Sequence, residues 1–234
     1  MTETARKIAD NLHRVMERVE KAASAAGRDP ESVKVIGVTK YVDPALAGML
    51  FHAGCHRLGE NRPQVLLEKV TALAELNAEW HFIGHLQRNK VKKILPHVSL
   101  IHSLDSLRLA ESVNRLASEQ ALPIDALLEV NISGDEAKHG FLPQQIPAVL
   151  TAIHKLSHVR VTGLMGMAGL KSTAKEVRGQ FCRLRELRDS LQPTVQDGVP
   201  ITELSMGMSG DFELAIAEGA TMVRIGSVLF EGVL

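Results

Sequence analysis

A lysine sits where an apolar run stops. In "VIGVTKYVDP", residues 35–44, three branched residues and a glycine lead into Thr39 and Lys40, and Asp43-Pro44 then breaks the pattern. A long aliphatic stem can simply carry its ammonium out to water. In a partly desolvated site the ammonium gives up its proton more easily, and the neutral amine attacks an aldehyde or ketone. Two stretches far along the chain suit an anion. "SMGMSGDFELAI" (205–216) passes through two glycines into a helical pattern, and Ser205 and Ser209 add hydroxyl donors. Exposed N–H groups at such a turn, with the positive end of a helix dipole, attract negative charge. "RIGS" (224–227) supplies a second glycine turn with Ser227 beside it. Either glycine turn alone can serve backbone geometry only. Side by side they make a phosphate site, with Asp211 expected to cap the following helix and point away.

Whether these residues meet depends on the elements between them. Ile8, Leu12, Val15 and Val19 recur at helical spacing near the N-terminus, and Gly27 suits the end of that helix. Short branched or apolar runs follow at "VKVIGVT", "HRLGE", "WHFIG", "VSLIHSL", "IDALLEVNIS", "VRVTGLMGM", "ITELSMG" and "ATMVRIGS". Helical stretches separate them, among them "NRPQVLLEKVTALAEL", "DSLRLAESVNRLASEQ" and the stretch from Lys171 to Leu191. Alternation of this kind predicts parallel strands with crossover helices. Eight such units in 234 residues point to an α/β fold, a single (β/α)8 TIM-like barrel with an extra N-terminal helix, in one domain spanning residues 1–234. An open doubly wound sheet is the alternative, because periodicity carries no strand order. On a barrel, the carboxyl ends of the strands hold the site. Lys40 then ends the first strand, and the two serine–glycine loops follow the seventh and eighth, where barrels often hold phosphate.

Composition removes several function classes. Lys plus Arg equals Asp plus Glu at 27 each, so no net field draws the chain to nucleic acid or to an anionic membrane. Aromatic residues make up 3%, too few for a base-stacking surface beside the basic stretch Arg88–Lys93, which reads as a solvated helix face. Two cysteines, Cys55 and Cys182, fit a reducing cytoplasm rather than a disulfide framework. The charged N-terminus resembles neither a signal peptide nor a membrane span. "HFIGH" looks strand-like, so His81 and His85 share no helical face for a metal, and in "HAGCH" His52 falls on the preceding helix. "GMSG" is not the G-x-S-x-G of a hydrolase.

An amine after strand one and a phosphate grip after strands seven and eight suggest pyridoxal 5′-phosphate (PLP). Arg224, two residues before the strand-eight glycine, would then reach the pyridine nitrogen and keep it unprotonated. At these residues the chain resembles the pyridoxal phosphate homeostasis proteins. The matching segments are "GVTKYV", "LGENRPQ", "WHFIGHLQRNK", "VNIS", "GLMGM", "LSMGMSGDFELAI" and "TMVRIGSVLF", spread in order over residues 37–230. The resemblance implies the PLP-binding barrel of alanine racemase without its second domain. It implies that Lys40 carries the imine and Arg224 faces the pyridine nitrogen. Ser205, Gly207, Gly226 and Ser227 would hold the phosphate, with Asn61, Ile83 and Met165 around the ring. It further implies a monomer that buffers PLP or delivers it to apo PLP-dependent enzymes. The rival is an amino-acid racemase, which needs a proton donor on each face of the α-carbon. Tyr41 is the sole tyrosine, and alternation along a strand points it away from Lys40.

Overall fold

The computed structural model describes residues 1–135, 137–191 and 200–234. Helix α1 (Glu3–Ala25) starts where the Thr2 hydroxyl accepts the Ala5 N–H at 3.2 Å, and its buried stripe contains Ile8, Leu12, Val15 and Val19. Gly27, at φ 67°, turns the chain out of it in a conformation that costs glycine least.

The expected alternation then unrolls as β1 (Lys34–Val38), α2 (Pro44–His52), β2 (Arg57–Glu60), α3 (Pro63–Ala72) and β3 (Glu79–Phe82). A short α4 (Val91–Ile94) precedes β4 (Leu100–Leu104), followed by α5 (Leu107–Gln120), β5 (Ile124–Val130) and α6 (Ile146–Ile153). The chain finishes with β6 (Val159–Gly166), α7 (Ala174–Leu191), β7 (Glu203–Met208), α8 (Phe212–Ala217) and β8 (Met222–Ile225). Every neighbouring pair is parallel, and β8 pairs back onto β1, so the sheet is a closed barrel and not the open alternative. The basic stretch before β4 is broken into single turns, 3-10 at Arg88–Lys90, α at Val91–Ile94 and 3-10 at Leu95–His97, with Pro96 in the last.

Outward strand residues and the inner faces of the helices form the main core. Inside the barrel an apolar layer of Ile36, Leu100, Leu127, Met165 and Met222 fills the section. Below it, at the amino ends of the strands, Arg57–Glu79 at 3.1 Å and Arg160–Asp125 at 2.6 Å pair across neighbouring strands, and Lys34–Glu203 at 2.7 Å reaches from β1 past β8 to β7. The barrel is therefore plugged at one end by ions and in the middle by hydrocarbon. Within the barrel, that leaves the carboxyl ends of the strands to hold a ligand. Among the described residues no helix is long and apolar enough to cross a membrane.

Candidate functional site

A cavity of about 470 Å³ opens at those carboxyl ends. Six of the nine residues singled out above line it: Lys40, Asn61, Ile83, Arg224, Gly226 and Ser227.

Lys40 follows β1 in a turn whose backbone is tied from three sides. The Thr39 N–H donates to Gly59 O at 3.0 Å, and the Thr39 hydroxyl donates to Glu60 Oε1 at 2.6 Å. Lys69 Nζ, reaching in from α3, donates to Thr39 O at 2.6 Å and forms an ion pair with Glu60. Glu60 and Lys69 are 0% and 1% exposed. A lysine on a helix face would ordinarily be wet; here it is a strut under the lysine of the site. Tyr41 corrects the expectation from alternation. The strand ends at Val38, so period two no longer applies, and the Tyr41 ring centroid lies 4.8 Å from Lys40 Nζ.

Asn61 brings an unanswered polar atom to the cavity wall. Its Oδ1 is buried with no hydrogen-bond partner among the described residues. Gly84 presses on it from behind: a Cβ there would lie 2.3 Å from Asn61 O, so only glycine allows the approach.

Arg224 is buried, and Nη1 donates to Ser205 O at 2.8 Å and Ser205 Oγ at 2.5 Å, while Nη2 donates to Gly166 O at 3.1 Å. Three of its five N–H donors are thus engaged, and the other two have no partner among the described residues. Burial pushes its pKa down to about 10, opposed by the Asp211 and Glu129 carboxylates, so the guanidinium is charged at neutral pH.

The loops after β7 and β8 are adjacent, as the barrel requires: the Gly226 N–H donates to Ser209 Oγ at 3.2 Å. Ser209 and Gly210 line the cavity with Gly226 and Ser227. Asp211 does not cap α8 with its side chain; its Oδ1 accepts the Met208 N–H at 2.6 Å and closes the 208–211 loop instead.

Met165, Ser205 and Gly207 are not in the cavity wall. Met165 is one layer deeper, in the apolar plug, and the half-buried Met167, two residues on, lines the cavity. Ser205 is fully buried, its hydroxyl between Arg224 and His102. Gly207, at φ 90°, faces α8: a Cβ there would lie 2.6 Å from Ala215 Cβ. The register of β7 shifts between Ser205 and Met208, which turns Gly207 outward despite its even spacing from Ser205.

Sequence reasoning passed over Glu129, Asp105 and His139. Glu129 ends the inward face of β5, two residues after Leu127, so alternation alone carried its signal. Burial, then the Asp105 charge, raise its pKa to about 7 against the pull of Arg224 and His85. His85 Nδ1 lies 2.9 Å from Asp105 Oδ2, and the His139 ring stacks on His85 at 4.3 Å and 15°. The ligand atoms of these three residues lie within 4.8 Å of one another. Imidazole lone pairs lie in the ring planes, so two stacked rings cannot both aim at one ion. None of the histidines in "HAGCH" joins a metal-like group among the described residues.

The family model described as "Alanine racemase, N-terminal domain" matches residues 6–232. A pyridoxal phosphate homeostasis protein of Aquifex aeolicus is 44% identical over 94% of this chain and 96% of its own. One from Pseudomonas aeruginosa is 39% identical over 95% and 94%. Among solved structures, PipY of Synechococcus elongatus PCC7942 with PLP bound superposes with a TM-score of 0.81 and 38% identity, covering 91% of this chain and 99% of PipY.

Proposed function

Since this chain belongs to the pyridoxal phosphate homeostasis proteins and carries the alanine racemase N-terminal domain, we propose that it binds PLP through Lys40 and buffers or delivers it. One observation carries this reading: an amine, an anion-suited pair of loops and an unpartnered amide all face one cavity. When bound, the cofactor supplies an aldehyde that a lysine amine captures reversibly. Lys40 is the amine, positioned by the Glu60–Lys69 pair beneath Thr39. The loop residues Ser209, Gly210, Gly226 and Ser227 offer hydroxyl and N–H donors to the phosphate. Ser205 and Gly207 then support that grip from behind, and Met165 forms the floor below Met167. Asn61 and Ile83 border the ring, and Arg224 has two free donors for its nitrogen edge. The donor chemistry fits the group.

The chain acts as a single domain, residues 1–234, in the cytoplasm, as a monomer handing PLP to apo-enzymes, without turning over an amino acid. The names of its relatives favour this over racemisation. Tyr41 lies on the lysine's own side of the cavity, so it offers no proton on the opposite face. Borohydride reduction of the PLP-loaded protein followed by peptide mapping tests the reading and should mark Lys40. A label on Lys90 or Lys138, with none on Lys40, overturns the assignment. α-Proton exchange of alanine in deuterated water should be negligible; fast exchange with inversion would restore the racemase.

A further inference from the structure

We propose that Glu79, at the opposite mouth of the barrel, is a positioning residue for Arg224, acting through a one-way chain of hydrogen bonds formed by His81, His102 and Ser205. This rests on the reading that Arg224 faces a bound cofactor. The links are continuous. Arg224 Nη1 lies 2.5 Å from Ser205 Oγ, Ser205 Oγ lies 2.8 Å from His102 Nδ1, His102 Nε2 lies 2.8 Å from His81 Nδ1, and His81 Nε2 lies 3.1 Å from Glu79 Oε1. Everything between the ends is sealed, with His81, His102 and Ser205 all 1% exposed or less.

The chemistry of the two ends sets the direction of the whole chain. A guanidinium only donates, and a carboxylate only accepts. Ser205 Oγ accepts from Arg224, so its own proton is free to go to His102 Nδ1. His102 must then carry its hydrogen on Nε2 and give it to His81 Nδ1, and His81 must do the same toward Glu79. With one hydrogen on each ring, both imidazoles are Nε2–H tautomers. Burial first, with the Arg224 charge acting the same way, holds the His102 pKa well below the ordinary imidazole range, which favours the neutral ring. The hydrogen bond from His81 leads the influences that hold the Glu79 pKa down, keeping the far end an acceptor. Each bond polarises the next, so the terminal carboxylate sharpens the orientation of every donor back to Arg224. The other groups facing Glu79 are Arg57, whose Nε pairs with Oε2 at 3.1 Å, and the Lys34 charge.

The experiment uses the full chain labelled with nitrogen-15 at histidine and arginine. In the wild-type protein His81 and His102 should both give the Nε2–H tautomer, and the Arg224 side-chain N–H signals should be sharp and slow to exchange. Glu79→Ala should release the His81 tautomer, broaden the Arg224 signals and weaken PLP binding about threefold to tenfold, as for one lost link to a charged group. Glu79→Gln should restore all three, since its amide carbonyl still accepts. Arg57→Ala should leave the tautomers unchanged, because it touches only the other oxygen of Glu79. An Nδ1–H tautomer at His102 in the wild-type protein overturns the proposal. So do Arg224 signals that are indifferent to Glu79→Ala, or an Arg57→Ala effect equal to that of Glu79→Ala. The nitrogen signals need no cofactor: a chain that shows them and fails to bind PLP would sink the functional reading and leave the positioning role standing.

Discussion

Replacing Lys69 by methionine should be strongly destabilising, although the residue lies away from the cavity wall. Lys69 and Glu60 are 1% and 0% exposed, and Glu60 Oε2 already has no partner among the described residues. Methionine matches the stem of the lysine but removes its charge. The Glu60 carboxylate is then left with one donor, the Thr39 hydroxyl at 2.6 Å, and Thr39 O loses the ammonium that holds it. Breaking a buried pair by removing one partner costs about 3–5 kcal/mol, because the other charge is stranded. Against a total stability of about 5–15 kcal/mol this is a large share. At about 2–4 °C per kcal/mol for a chain of this size, the melting temperature should fall by about 6–20 °C. Adding Glu60→Met removes the stranded charge and should return at least half of the loss, with the Thr39 carbonyl still unpartnered. Denaturant unfolding followed by fluorescence of Trp80, the sole tryptophan and a buried residue of β3 beside β2, gives each free energy, and the double-mutant cycle gives the coupling. A loss below about 1 kcal/mol for Lys69→Met, or a double variant no better than the single, would refute the strut.

Two further outcomes test the charges around the site. Ser227→Asp should weaken PLP binding at least about fivefold, since like charges about 4 Å apart cost about 1–4 kcal/mol between water and a surface environment. Ser227 is exposed, so the fold should survive; unchanged affinity in a PLP titration would make "RIGS" a turn only. Acid stability should be governed by two buried groups of opposite sign. His102 has its native pKa lowered from 6.5, so its contribution is present above about pH 6.5 and is lost as pH falls. Glu129 has its native pKa raised from 4.5 to about 7, so its contribution grows as pH falls from about 7 toward 4.5. In the overlap the two nearly cancel, and the unliganded protein should hold its stability almost flat from pH 6.5 to 5. Glu129→Gln removes one side and should expose a fall of about 1.4 kcal/mol per pH unit. Urea midpoints at pH 5, 6 and 7 measure this; parallel pH profiles for the two proteins would contradict it.

The fold was legible because eight branched runs separated by helical stretches leave little choice but crossover connections. The rule that a site sits past the carboxyl ends of strands puts Lys40, Arg224 and the two glycine loops at one end of the barrel, where they line one cavity. It failed where the backbone leaves the ideal strand. Gly207, which the resemblance puts at the phosphate, faces α8, because the register shifts within β7. Counting past Val38 puts Tyr41 away from Lys40, but the strand has already ended. Met165, which the resemblance puts around the ring, lies one layer deeper, in the apolar plug, a depth that strand alternation does not encode. The Glu60–Lys69 strut and the histidine chain lay beyond reach for a different reason. Lys69 reads as an ordinary helix-surface lysine, and His102 as a lone polar residue in an apolar strand. Only the closed barrel shows what each one touches.

That closure also fixes when the site can exist. Lys40 follows the first strand and Ser227 the last, and these two strands meet at the seam where Lys34 pairs with Met222 and Gly37 with Ile225. Lys40 and the serine–glycine loop therefore come from the first and last strands of the barrel, and no partial barrel holds both. A chain emerging from the ribosome has its lysine early and its serine–glycine loop only with the final strand. Docking β8 on β1 is the longest-range pairing in the fold, and pairings of high sequence separation form slowly. An unclosed barrel cannot sequester a reactive aldehyde, so capture becomes a report that β8 has docked on β1.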